Sequence, residues 1–171
     1  MELEVSIECG EGYDAFKLKR VAEDMVVYAT DYFKDQIKLD FAEIERTLIV
    51  HLVDEVSGDP KQKGGFKDFP DGTLNIAIRC DAQECFAESF FHEIIHAVVF
   101  CRPDLLDNYG HLLEKYPWGK MVVFTSASGE EVGILSTQYS EEKWPEEITC
   151  IYLSNQMVAW IKKKWEENNP R

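Results

Sequence analysis

Histidine is scarce in this chain, and so is positive charge. Only 4 of the 171 residues are His, and 18 Lys and Arg stand against 32 Asp and Glu, a formal net charge of −14. So acidic a surface argues against nucleic acid as a direct ligand, because phosphates repel it. It suits solubility first, then a basic partner or an imitation of the charge of DNA. No run of 18 or more apolar residues occurs, so no membrane-spanning helix is expected. The start, Met1-Glu-Leu-Glu-Val5, has no basic stretch followed by an apolar one and does not read as a signal peptide. The five Cys, at 9, 80, 85, 101 and 150, are odd in number and too sparse for a disulfide scaffold. A reduced, cytoplasmic protein is the expectation. No repeat, linker or low-complexity segment interrupts the chain, and 45% hydrophobic residues supply a core. Residues 1–171 are therefore expected to form one domain.

Two of the scarce histidines fall together, in Phe91-His-Glu-Ile-Ile-His96. On a helix, His92 and His96 lie one turn apart on one face, about 6 Å along the axis. Two imidazoles so placed can converge on one Zn²⁺. Glu93 sits about 100° round the helix, off the ligand line but near enough to act as general base on a water beside the metal. Asp81-Ala-Gln-Glu84 resembles a capping box ahead of this helix, and Arg102-Pro103 closes it. Between them Phe86, Ala87, Phe90, Phe91, Ile94, Ile95, Ala97, Val98, Val99 and Phe100 are apolar on nearly every side, the pattern of a buried helix. Two His and a Glu inside such a helix need partners, and a metal satisfies all three.

The rest of the chain reads as a scaffold. Leu3, Val5 and Ile7 alternate with polar residues over 2–8, a short strand that Gly10 and Gly12 end. Asp14 caps a helix running to about Ile37, with Leu18, Val21, Ala22, Met25, Tyr28, Ala29, Tyr32 and Phe33 as its apolar stripe. Phe41–Ile44 is a short helical turn. Thr47–Val53 is the strongest strand, and the His51 inside it reads as structural. Residues 54–72 are rich in Gly, Pro and Asp and read as a long loop. Thr73–Arg79 is a second strand, where an extended peptide would pair edge to edge. Cys80 and Cys85 lack a second pair and are expected to be free thiols. Asp104–Glu114 is a short helix or loop that Pro117 and Gly119 end. Met121–Thr125 and Val132–Ser136 form a hairpin or an irregular flap. Pro145 opens a last helix to about Glu167, whose stripe is Cys150, Leu153, Met157, Trp160 and Ile161.

A catalytic zinc usually takes a third protein ligand. Val99 and Arg102 stand where the metzincin pattern needs Gly and His, so that route is closed. His111, Glu114, Glu146 and Glu147 remain. Pro117 counts against Glu114, and His111 follows Gly110 in an uncertain loop. On helix geometry Glu146 and Glu147 are equal candidates.

From His92 to about Trp160, under half the chain, the sequence resembles the small zinc metallopeptidases encoded by phages and prophages. Their layout is similar to that of ImmA/IrrE-type gluzincins. The segments that carry the resemblance are Phe91-His-Glu-Ile-Ile-His-Ala-Val98 and Glu146-Glu-Ile-Thr-Cys-Ile-Tyr-Leu-Ser-Asn-Gln-Met-Val158. Matched at Leu153-Ser-Asn155, the resemblance implies Glu147 as third ligand, with Ile151 where an acid is often found one turn later. The expected fold is α/β (α+β), a small mixed sheet packed with the N-terminal helix, the metal helix and the C-terminal helix. The implied activity is hydrolysis of a peptide or protein substrate with one Zn²⁺ per chain, in the host cytoplasm if a phage encodes it. Tyr139, His111 or Arg102 would stabilise the oxyanion. Two other functions fit the same residues: a catalytically silent zinc-binding protein acting through protein contacts, and an acidic DNA-mimic inhibitor.

Overall fold

A computed structural model of the chain describes residues 1–56, 58, 61–81, 86–126 and 129–170. They have the expected α+β make-up, a small mixed sheet and a second two-stranded sheet packed with helices. The chain divides into two compact units, Met1–Ala97 and Val98–Arg171, with the boundary inside one continuous helix.

The first unit is built on a four-stranded sheet. Strands β1 (Glu2–Glu8), β2 (Thr47–Val53) and β4 (Leu74–Arg79) are parallel, and β3 (Gly64–Asp68) runs antiparallel to β4, in the order β1-β2-β4-β3. The strand period of two decides its faces. Leu48, Val50 and Leu52 of β2 and Leu74, Ile76 and Ile78 of β4 are wholly buried, while the residues between them are half-exposed. Helix α1 (Ala15–Tyr32) starts where Asp14 accepts a hydrogen bond from the Lys17 amide at 3.1 Å. It continues as a π-helical turn over Phe33–Ile37 and stops at Lys38, whose φ of 62° is left-handed. Ala22, Ala29, Tyr32 and Phe33 of the expected stripe are buried, whereas Tyr28 is exposed at its margin. Asp40 caps a 3-10 turn at Phe41–Glu43.

Three expectations for this unit need correction. The stretch read as a loop, 54–72, contains β3. Gly64-Gly-Phe-Lys-Asp68 has neither alternation nor β-branched residues, so it carries no strand signal. Because β3 pairs with β4, the strand at 74–79 offers no free edge, and β3 is the edge strand on that side, with β1 at the opposite edge. Cys80 is not a free thiol: it is joined to Cys9 in a disulfide, their Cα atoms 6.7 Å apart. A separation of 71 residues hides that pairing from the sequence. Glu84 of the expected capping box, and Cys85, lie outside the described residues.

His51 is structural, as expected, and its role is specific. It bridges three neighbouring strands, Nδ1 donating to Glu8 of β1 at 2.9 Å and Nε2 to Asn75 of β4 at 2.7 Å. Burial opposes its charge, but the hydrogen bonds to Asn75 and Glu8 prevail and raise its pKa above the usual 6.5. The same contact, helped by Ser6, holds the Glu8 carboxyl below its usual 4.5.

The second unit opens on a 3-10 segment, Pro103–Tyr109, and the short helix α3 (His111–Lys115). A true hairpin follows, β5 (Met121–Thr125) paired antiparallel with β6 (Glu131–Leu135). Helix α4 spans Trp144–Asn168 with Pro145 in its first turn. Trp144, expected to precede the helix, begins it, and its buried indole donates to the Tyr116 carbonyl at 2.8 Å. Leu112, Val122, Trp144, Ile148 and Ile151 form the core of this unit. The expected stripe of α4 is also present, with Cys150, Leu153 and Met157 buried. Among the described residues no helix is long and apolar enough to cross a membrane.

Two stability predictions follow from these contacts. His51 contributes fully below its unfolded value of 6.5 and loses that contribution as pH rises through its raised folded value; Glu8 contributes fully above 4.5 and loses it as pH falls. Their joint contribution is therefore complete between those two values. Glu8 is half exposed, so His51→Gln should cost no more than about 1 kcal/mol. Urea denaturation should find that cost near pH 5.5 and find it reduced by roughly pH 8.5. The buried Ser136 hydroxyl accepts from the Gly119 and Lys120 amides at 2.8 and 3.0 Å and donates to the Lys120 carbonyl at 2.8 Å. Ser136→Ala should therefore lower stability by about 1–3 kcal/mol in the same assay.

Candidate metal centre

The centre is organised on helix α2 (Phe86–Cys101). Phe90, Phe91 and every residue from Glu93 to Val99 are buried, so the polar side chains of the motif sit in an apolar helix. Phe86 and Ala87 at its start are half-buried and Phe100 near its end is 45% exposed, so the expected all-round burial holds only along the middle of the helix. The i, i+4 spacing brings His92 and His96 together as the sequence implies. Their Nε2 atoms are 3.1 Å apart, and the ring planes are inclined by 72° with centroids 4.8 Å apart. Two nitrogens bound at about 2.0–2.1 Å to a tetrahedral zinc lie roughly 3.3 Å from each other. The pair thus fits one metal with almost no adjustment. Borderline nitrogen donors are also what zinc prefers.

Strand β3, which sequence reasoning missed, is part of this centre. Phe66 lies with its ring nearly parallel to that of His96, 6° between planes and 6.4 Å between centroids. Gly64 lies against Glu93: a Cβ there would stand 2.9 Å from both Cγ and Oε1 of that side chain. The glycine therefore leaves the room that the buried Glu93 carboxylate occupies. The Gly64-Gly65 doublet was the available signal, since glycine in a strand marks close approach of another group.

The other predicted site residues belong to the second unit. Glu146 and Glu147 are half-buried in the first turn of α4, where carboxylates also suit the helix dipole. His111 and Glu114 are exposed on α3, with the His111 ring 6.3 Å from that of Tyr109. The Tyr139 ring packs 5.9 Å from Trp144, and the Tyr139 carbonyl accepts from the Trp118 indole at 3.0 Å. Arg102 forms a two-pronged bridge to Asp104, Nε to Oδ1 at 2.8 Å and a terminal nitrogen to Oδ2 at 2.7 Å. That guanidinium holds the Asp104 carboxyl below its usual range. Of the three candidate oxyanion stabilisers, Arg102 already has a strong anionic partner.

Comparison with models of known families, with curated proteins and with solved structures finds no match. The reading of the centre therefore rests on its own chemistry.

Gly64→Ala isolates the contribution of β3. The added methyl should displace the Glu93 carboxylate while leaving His92 and His96 in place. A misplacement of about 1 Å can cost on the order of 10²-fold in rate. Metal content by elemental analysis should be unchanged in this variant, and any reaction in which Glu93 moves a proton should slow by roughly tenfold or more.

Proposed function

We propose that this chain is a zinc-dependent, gluzincin-like metallopeptidase that hydrolyses peptide bonds. The observation that carries the reading is the convergence of the His92 and His96 Nε2 atoms, 3.1 Å apart, with the buried Glu93 next in sequence. Glu147 is the third ligand in this proposal. Its place in the first turn of the long helix α4 supports that assignment. The resemblance to ImmA/IrrE-type peptidases assigns the same residue.

Zinc, when bound, supplies a Lewis acid that polarises the scissile carbonyl and makes a water more acidic. His92 and His96 would hold it, each imidazole in the neutral form that ligation requires. Glu93 takes the proton of the attacking water and passes it to the leaving amine. Burial sharpens that role, since a carboxylate removed from water interacts more strongly with a neighbouring proton or charge. Phe66 packs beside His96 and restrains its ring. The substrate in this reading is an extended peptide. The outer side of β3, the edge strand, offers backbone groups with which such a peptide can pair.

Elemental analysis beside a peptide-cleavage screen tests this. Wild type with the Cys9–Cys80 disulfide intact should hold about one zinc per chain. Glu93→Gln should keep the metal and lose about 10²–10⁴ in rate. Glu147→Ala should lose the metal, and Glu146→Ala should retain it. A wild type that binds zinc, loses stability on chelation and cleaves nothing would instead be a zinc-stabilised binding protein. A protein that takes up no zinc would overturn the metal reading altogether. Salt-sensitive binding to a basic partner would then favour the acidic decoy.

A further inference from the structure

A second group of metal-ligating side chains lies within the first unit and takes no part in the HExxH centre. Cys9, Asp54 and Cys80 immediately follow β1, β2 and β4, three neighbouring parallel strands. The last residues of those strands, Glu8, Val53 and Arg79, are in register. Cys9, Asp54 and Cys80 therefore form one row across the carboxyl end of the sheet, the end at which open parallel sheets bind ligands. Two strand spacings would put the outer chains roughly 9–10 Å apart. The Cα atoms of Cys9 and Cys80 are only 6.7 Å apart, so the outer chains converge over the end of β2. One donor atom from each of Cys9, Asp54 and Cys80 lies within 4.8 Å of the other two.

The row is held by the backbone. Asp54 Oδ2 accepts from the Gly10 amide at 2.8 Å, and the Cys80 amide donates to the Val53 carbonyl at 2.9 Å. The Asp54 carboxylate is thus oriented by one oxygen and keeps donor capacity on the other, as carboxylates that ligate metals commonly do. Gly10 is required for that approach, because a Cβ there would stand 3.1 Å from Asp54 Oδ2. Cys80 is buried, Cys9 half-buried and Asp54 exposed, so the row has a protected sulfur end and a solvent-facing carboxylate end. The neighbouring cation, Arg79, forms a two-pronged bridge to Asp81.

We propose that this row is a second, redox-gated metal site. In the reduced protein the thiolates of Cys9 and Cys80, together with Asp54, hold one thiophilic divalent cation, zinc foremost. The Cys9–Cys80 disulfide is its closed, metal-free state. Opening consumes two electrons: a dithiol reductant breaks the Cys9–Cys80 bond and leaves as its own disulfide, and the incoming metal displaces the two thiol protons to solvent. Closure by a disulfide oxidant runs the other way. The two cysteine sulfurs bond to each other, the oxidant departs as two thiols, and the cation is released. Two sulfurs and one oxygen select zinc or a softer ion over magnesium or calcium. The proposal is independent of the peptidase reading.

Cobalt(II) titration of the full chain tests it, since thiolate-to-cobalt charge transfer reports sulfur ligation and is not produced by histidine or carboxylate ligands. After reduction with a dithiol and its removal without air, the protein should bind a cobalt that shows this band. The oxidised protein should show none. Cys9→Ser and Cys80→Ser should each abolish the band. Asp54→Asn keeps both thiols and should weaken cobalt binding by at least tenfold, which serves even if a cysteine variant fails to fold. A reduced wild type with no charge-transfer band would overturn the proposal and leave a purely structural disulfide. A band that survives both cysteine substitutions, or Asp54→Asn binding as tightly as wild type, would overturn it equally.

Discussion

The first unit depends on how a buried helix accommodates two imidazoles and a carboxylate. Buried polar groups are tolerated only when something satisfies them, and a buried charge only when it is paired. In α2 the apolar residues around His92, Glu93 and His96 commit the helix to the interior. The i, i+4 spacing then forces the two imidazole nitrogens to within 3.1 Å. In the proposed metal centre one ion would satisfy the two imidazoles and the carboxylate beside them together, where hydrogen bonds alone would have to satisfy each separately. That is why the motif acts as both a structural constraint and a chemical one.

The sheet supplies the complementary constraint. Its parallel strands align their ends, so residues with no relation in sequence meet at one edge. Cys9, Asp54 and Cys80 come from three separate strand ends, and register alone brings them together. The antiparallel β3 acts at the lateral edge. It places Gly64 against Glu93 and Phe66 beside His96. One sheet thus borders both proposed metal sites, with nitrogen donors near β3 and sulfur donors at the strand ends. His51 bridges β1, β2 and β4 across the sheet's less buried face.

Much of this was legible from local pattern. The α1 cap at Asp14, the strands at 2–8 and 47–53, the α2 motif and the start of α4 near Pro145 follow from periodicity and capping, which act over a few residues. Strand β3 was not legible, because two glycines and two charged residues hide a strand whose stability comes from pairing with β4. The second buried face of α4, made by Trp144, Ile148 and Ile151, was missed because its residues are interleaved with the stripe of Cys150, Leu153 and Met157. A helix buried on two sides has no single moment to read.

The sequence by itself determined that His92, Glu93 and His96 share one turn of a buried helix, because helical geometry converts a spacing of four into a common face. It determined the apolar face of the sheet for the same local reason, a period of two. Only the tertiary structure decided which residue stands beside Glu93, which strand lies next to the metal helix at the sheet edge, and that Cys9 meets Cys80. Those outcomes depend on strand order and register, which link residues as many as 71 positions apart and leave no periodic trace in the chain.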